Sequence, residues 1–228
     1  MLELSIVATP IGNLADITLR ALEILREADF VLCEDTRKTK VLMDKYEIVK
    51  PLKAYHQQST EGQIHKILEA MKEVEKVALV TDAGTPGISD PGNLLIERVL
   101  AFFGDEIKIT PIPGANALSA LVSVAGINMT RFTFMGFPPN KKGREKFFRE
   151  VLASEYPVIY YESPYRLMKN LDLMEGLFEE LGISKRVILG REITKIFEEI
   201  KRGEVVEVKK YYEENPGKVK GEIVVLIY

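Results

Sequence analysis

Val77-Ala78-Leu79-Val80-Thr81-Asp82-Ala83-Gly84-Thr85-Pro86-Gly87-Ile88-Ser89-Asp90-Pro91-Gly92 is the stretch on which the reading of this chain turns. A short apolar run, read as a buried strand, passes into a loop with three glycines, two prolines and no aromatic side chain. Val7-Ala8-Thr9-Pro10-Ile11-Gly12-Asn13 has the same design upstream, and Pro111-Ile112-Pro113-Gly114-Ala115-Asn116-Ala117 has it downstream. Glycine lets a backbone approach a ligand closely, and proline sets the turn that presents it. Three such loops after three strands predict one cleft that grips a small, nucleotide-like molecule through main-chain groups.

Outward from these loops, strands and helices alternate. The pattern predicts strands at 3–9, 30–33, 77–81 and 107–109. Helices are expected from an Asp16 cap to about Ala28, with Leu19, Leu22 and Leu25 on one face, and at 39–45, 61–74 and 92–103. Such alternation indicates a mostly parallel sheet with helices on its faces. The proline-glycine segment 111–114 marks the expected boundary between domains 1–112 and 113–228. Beyond it, helices are expected at 115–124, 143–152 and 164–181, and strands at 132–135, 158–161, 187–192, 196–201, 205–208 and 222–227. That strand-rich end predicts a mixed sheet.

The 228 residues are 46% hydrophobic and 29% charged, enough for real cores. No apolar run reaches the length of a membrane span, and the N-terminus lacks the pattern of a signal peptide. Cys33 is the single cysteine, which fits a reducing cytoplasm. With only His56 and His65 beside it, a zinc site is not expected. A net charge of −3 argues against indiscriminate coating of nucleic acid, while leaving room for a local basic face.

Four segments in order carry a more specific signal: Ala8-Thr9-Pro10-Ile11-Gly12-Asn13-Leu14, Cys33-Glu34-Asp35-Thr36-Arg37, Thr81–Gly92 and Arg191-Glu192-Ile193-Thr194-Lys195. With them the chain resembles the tetrapyrrole methylase superfamily over nearly its whole length, and within it the ribosomal RNA branch, the small-subunit rRNA methyltransferase I family. The resemblance implies an α/β protein of two α/β domains with a cofactor cleft between them, the N-terminal sheet mostly parallel and the C-terminal sheet mixed. It implies S-adenosylmethionine as cofactor and a homodimer; because that cofactor carries the reactive group itself, no metal is expected. The implied reaction methylates the ribose 2′-hydroxyl of a decoding-centre cytidine in 16S rRNA, with the small ribosomal subunit as partner. The segment Tyr55-His56-Gln57-Gln58-Ser59-Thr60-Glu61 departs from the His-Glu-His-Asn-Glu-like pattern of that branch.

From the resemblance, the cofactor contacts are Gly84, Thr85, Pro86, Ser89 and Asp90, then Pro113, Gly114, Ala115 and Ala117, then Tyr161-Glu162 and Gly221-Glu222. Thr9, Pro10, Gly12 and Asn13 are assigned to the substrate side. The base that takes the ribose proton is left open: Glu34, Asp35 and Lys195 lead, with Asp82, Asp90, Glu162 and Glu192 also near strand ends. Asp35 beside Arg37 reads equally as an ion pair, and the charges of 191–198 equally as buried structural pairs. His65 is expected in solvent, and Cys33 as a buried small hydrophobe.

Arg37, Lys38, Lys141, Lys142 and Arg144 are the candidates for RNA phosphates. Phe147 and Phe148 are expected in the core and Lys201-Arg202 and Lys209-Lys210 on plain solvated surface. Two other readings share the fold: a methylase of uroporphyrinogen or a corrinoid precursor, and a non-catalytic S-adenosylmethionine binder. An anionic macrocycle would require a cleft lined with arginine and lysine.

Overall fold

The structure, a computed structural model, describes residues 1–56, 58–90 and 92–228. Gln57 and Pro91, which belong to two of the segments singled out above, lie outside the described residues. The chain forms two compact units, Met1–Asn116 and Ala117–Tyr228. Residues 113–116 fall with the first unit, where the Thr85 hydroxyl donates to the Ala115 carbonyl at 3.2 Å.

The first unit runs β1 (Leu2–Val7), α1 (Leu19–Glu27), β2 (Phe30–Cys33), α2 (Thr36–Lys45), β3 (Leu52–Ala54), α3 (Glu61–Lys72), β4 (Lys76–Leu79), α4 (Gly92–Phe103) and β5 (Ile107–Ile112). Its five strands lie in the order β3-β2-β4-β1-β5, every pair parallel. The apolar runs are buried on both faces, as a covered parallel sheet demands. Phe30 and Leu32 pack with Ile64, Leu68 and Leu95 of α3 and α4. Val31 and Cys33, which point the other way, pack with Leu22, Leu25 and Met43 of α1 and α2. Cys33 is thus the buried hydrophobe expected of it.

Local chemistry sets the helix starts. Thr60 and Gln63 form a reciprocal capping box at α3. Asp16 does not cap α1: it lies in a short 3₁₀ turn, and Thr18 Oγ1 accepts from the Ala21 amide at 3.1 Å. The helix therefore begins later than expected, Leu19 is exposed, and Ala21, Leu22 and Leu25 form the buried face. The strand β3 was not legible, being three residues long with Lys53 at its centre.

The second unit runs α5 (Ala117–Ser123), β6 (Thr133–Phe134), α6 (Arg144–Ala153), β7 (Val158–Glu162), α7 (Pro164–Leu181), β8 (Arg186–Arg191), β9 (Glu199–Glu204), α8 (Val205–Glu214) and β10 (Ile223–Ile227). The order is β6-β7-β10-β8-β9; β6 and β7 are parallel and the other pairs antiparallel, so the sheet is mixed. Residues 205–208, expected as a strand, open a helix instead. Glu204 and Glu207 cap its start reciprocally, and Val205, Val208 and Tyr212 recur at helical spacing to reach the core. Lys209 is no free surface lysine either: it bridges Asp172 at 2.6 Å and Glu175 at 2.7 Å.

Phe147 and Phe148 of α6 are buried and meet Tyr160 of β7 edge to face. No helix among the described residues is long and apolar enough to cross a membrane. Phe148 is fully buried, so Phe148→Ala should cost about 3–5 kcal/mol of stability. Urea unfolding measures it.

Candidate active site

Parallel strands end on the same edge of their sheet, so the loops after β1, β2, β4 and β5 gather there without further instruction. Hydrogen bonds then lock them together. The Thr9 amide donates to the Gly84 carbonyl at 2.9 Å and the Gly84 amide returns a bond to the Thr9 carbonyl at 3.0 Å. Thr9 Oγ1 donates to the Thr81 carbonyl at 3.2 Å. The Thr85 bond to Ala115 ties in the third loop. Within the middle loop, Asp90 Oδ1 accepts from the Gly87 and Gly92 amides at 2.6 and 3.0 Å. Gly84 and Gly87 take left-handed backbone at φ +84° and +89°, and Ser89 is held at φ +63°. Thr9, Pro10, Gly12, Asn13, Gly84, Thr85, Pro86, Ser89, Asp90, Pro113, Gly114 and Ala115 thus share one edge of one unit.

Gly114 does more than approach a ligand. A Cβ at Gly114 would sit 3.0 Å from Ala8 Cβ, so this glycine also lets the loop pack on the end of β1. Thr9, Pro10, Lys38, Thr81 and Asp82 line a small pocket with Leu14 and Leu42, and Thr81 Oγ1 is buried without a hydrogen-bond partner among the described residues.

The two acids after β2 behave oppositely. Glu34 is half-buried, and its carboxyl is raised by burial and by the nearby charges of Asp82 and Asp90. Asp35 caps α2 through the Arg37 amide at 2.9 Å and takes both arms of the Arg37 guanidinium, which hold its carboxyl far below the usual range. Lys38 Nζ meets Asp82 Oδ2 at 2.6 Å, and Asp82 Oδ1 accepts the Asp35 amide. Arg37 and Lys38 therefore already have carboxylate partners within the unit.

The second unit collects another set at one sheet edge. Glu162 and Arg191 both pair in register with Ile223, which brings Tyr161, Gly221-Glu222 and the Glu192–Lys195 segment near one another. Gly221 has φ +85°, and a Cβ there would lie 2.4 Å from the Glu192 carboxyl carbon. The missing side chain seats that carboxylate, whose Oε1 accepts the Glu222 amide at 2.8 Å and Lys195 Nζ at 2.9 Å. Lys195 also reaches Glu222 at 3.1 Å. Burial alone would lower the Lys195 ammonium, but the two carboxylates outweigh it and raise it, so the lysine stays charged. Glu192 and Thr194 have φ +52° and +71°, strained values maintained by these bonds to Glu192 and by Glu198 Oε2, which accepts the Thr194 amide at 2.6 Å.

The Glu162 side chain is fully buried rather than presented at the edge. It accepts the Ser163 amide at 2.7 Å and Asn170 Nδ2 at 2.6 Å. Sequence reading passed over Asn170 and Arg166. The signal available was the four-residue spacing of Arg166 and Asn170, which puts both on one face of α7 just after the acid that ends β7. Lys141 and Lys142 are exposed, whereas Arg144 is half-buried and donates to the Asn140 carbonyl. His65 is exposed, as expected.

A fold of one parallel and one mixed sheet, with small-residue loops fastened at the carboxyl edge of the first, defines a class of methyltransferase. The chain belongs to the Tetrapyrrole (Corrin/Porphyrin) Methylases, whose family model matches residues 3–209. Members of this family depend on S-adenosylmethionine. The chain is 41% identical over 225 residues to a ribosomal RNA small subunit methyltransferase I of Thermotoga maritima, covering 99% of this chain and 97% of that one. It is 42% identical over 227 residues to the protein of that name from Mesorhizobium japonicum, covering 98% and 74%. Among solved structures it is similar to a diphthine synthase, with a TM-score of 0.74, 14% identity and coverage of 98% and 88%. A cobalt precorrin-4 methyltransferase gives a TM-score of 0.70, 18% identity and coverage of 98% and 94%. These two likenesses are of fold.

Gly114→Val should destabilise the first unit by about 1–3 kcal/mol through crowding of Ala8. In Gly114→Ala, a second change of Ala8→Gly should recover part of the loss, read from urea midpoints. Glu192 gives a pH signature. Burial would raise its carboxyl, but the bonds from Lys195 and the Glu222 amide prevail and lower it below the ordinary 4.5. Its contribution is therefore present above that value and lost as pH falls through the lowered folded one. The melting-temperature gap between Glu192→Gln and wild type should be open at pH 7 and close in acid.

Proposed function

We propose that this chain transfers a methyl group from S-adenosylmethionine to the ribose 2′-hydroxyl of a decoding-centre cytidine in 16S rRNA. The observation that carries the reading is its full-length likeness to proteins named ribosomal RNA small subunit methyltransferase I. The matching small-residue loops support it, since they are fastened into one surface at the carboxyl edge of the first sheet. The acids there also speak against an anionic macrocycle. Glu34, Asp82 and Asp90 crowd one another, and Lys38 is engaged by Asp82. Carboxylate-bearing substrates would meet repulsion at that edge.

The residues present fit the cofactor. Left-handed glycines and a loop without bulky groups offer amides and carbonyls to an adenosine and a methionyl tail, and Gly84–Asp90 with Pro113–Ala115 would hold it. S-adenosylmethionine supplies an activated methyl group on a sulfonium, so no covalent enzyme nucleophile is needed. What the chain must add is alignment of the hydroxyl and removal of its proton. Glu34 is the proposed acceptor, because burial and like charge raise it towards the working pH. Asp35, locked to Arg37, and Lys195, kept charged by two carboxylates, are poor acceptors. The Thr9–Asn13 loop would face the ribose, and Lys141 and Lys142 would meet phosphates.

Incubation with S-adenosylmethionine and unmethylated small subunits, then mass spectrometry of the digested rRNA, should reveal 2′-O-methylcytidine. A methylated base, or no product, overturns the assignment. Glu34→Gln should lower kcat by about 10²–10⁴-fold with cofactor affinity intact by calorimetry. The raised carboxyl predicts that wild-type activity declines as pH falls through its value. Lys141→Ala with Lys142→Ala should raise KM for small subunits and flatten its salt dependence. An unchanged KM removes this loop from the RNA surface.

A further inference from the structure

The buried Glu162 of the second unit has no evident task in chemistry, yet side chains of α6 and α7 converge on it. Its carboxylate is shut away from solvent and lies 3.9 Å from Arg166 Nε, whose side chain is itself 18% exposed. Burying an ion pair costs desolvation that apolar residues would avoid, so such a pair is not there for stability alone. Asn170 supports it: its amide is given to Glu162 while its carbonyl oxygen stays buried with no hydrogen-bond partner among the described residues. An arrangement that tolerates an unpaired polar atom to hold one carboxylate is organised around the position of that carboxylate.

The other face of Arg166 shows where the position matters. Nη1 donates to the Pro138 carbonyl at 2.8 Å and to Asn140 Oδ1 at 2.6 Å. Arg144, at the start of α6, donates to the Asn140 carbonyl and adds its charge beside Glu162. Asn140 is thus gripped by its side chain from α7 and by its backbone from α6. The loop is anchored upstream as well, where the Tyr161 amide donates to the Gly136 carbonyl at 2.8 Å. The residues that follow Asn140 directly are the exposed Lys141 and Lys142.

We infer that Glu162 and Arg166 are positioning residues for rRNA: the buried carboxylate, facing Nε, orients the planar guanidinium, whose Nη1 fixes residues 138–140 and so presents Lys141 and Lys142 to phosphate in one arrangement. The inference rests on the RNA reading of those lysines. A preorganised loop binds without having to surrender conformational freedom at the moment of contact.

Arg166→Lys keeps the charge beside Glu162, but one ammonium cannot face Glu162 with one nitrogen and the Pro138 and Asn140 oxygens with another, as Nε and Nη1 do. In the full chain it should fold and bind S-adenosylmethionine as wild type does, while the peptide spanning 136–143 exchanges amide hydrogens faster. KM for unmethylated small subunits should rise roughly fivefold to tenfold, the loss of one or two phosphate contacts, with kcat unchanged. Combined with Lys141→Ala and Lys142→Ala, it should add little to the KM of the lysine variant, because both act through the same contact. Glu162→Gln should reproduce the exchange and KM changes in weaker form.

Wild-type exchange or wild-type KM in Arg166→Lys, with KM raised in the lysine variant, overturns the positioning role and leaves the RNA reading standing. So does a fully multiplicative KM in the combined variant. An unchanged KM in the lysine variant instead overturns the RNA reading of the loop, and this inference with it.

Discussion

Two hydrogen bonds between Thr9 and Gly84 join loops that leave neighbouring parallel strands, and the candidate site of the first unit depends on them. Parallel pairing delivers β1 and β4 to the same edge but does not dictate what their loops do beyond it. The exchange of amide and carbonyl between Thr9 and Gly84 extends the pairing by one antiparallel bridge. It turns the chain sharply, and Gly84 tolerates that turn at φ +84°. With Thr85 bonded to Ala115, three segments far apart in sequence become one surface of main-chain groups. A surface so constructed binds by shape and backbone polarity, which suits a donor whose own chemistry is already activated.

Charge in this protein is mostly spent on geometry. Asp35 caps a helix and holds Arg37; Asp90 closes its own loop; Glu192 and Glu222 keep Lys195 protonated against a strained turn. Glu34 differs because its neighbours are acids and its surroundings partly dry, which weakens its hold on the ionised form. Proton-acceptor candidates that are equivalent as letters thereby separate by environment. The same principle separates the cations: Lys38, Arg144 and Arg166 are anchored, while Lys141 and Lys142 project from the segment that two of those arginines secure.

Much of the fold was legible because it rests on local periodicity. The runs at 30–33 and 77–79 are apolar at consecutive positions, the mark of strands covered on both faces, and α4 and α7 were readable to their first and last residues. Phe147 and Phe148 could be assigned to the core because their neighbours supply the charged face of α6. Errors arose where two local signals competed. Asp16 and Thr18 both suit a cap, and the Thr18 hydroxyl holds the Ala21 amide. Val205 and Val208 favour a strand by type, but the Glu204–Glu207 capping box and the turn-spaced Tyr212 select a helix.

The candidate site divides along the same line. Order along the chain was enough to identify the small-residue loops, the acids after strand ends, the family and hence the donor, because those depend on residue type and spacing. Tertiary structure alone could show that Gly114 rests on Ala8, that Gly221 makes room for the Glu192 carboxylate, and that Glu162 is enclosed with Asn170 and Arg166. Nor could the letters rank Glu34 above Asp35 and Lys195. Burial, hydrogen-bond partners and the field of neighbouring charges arise between residues distant in sequence, and they decide what a carboxylate or an ammonium does.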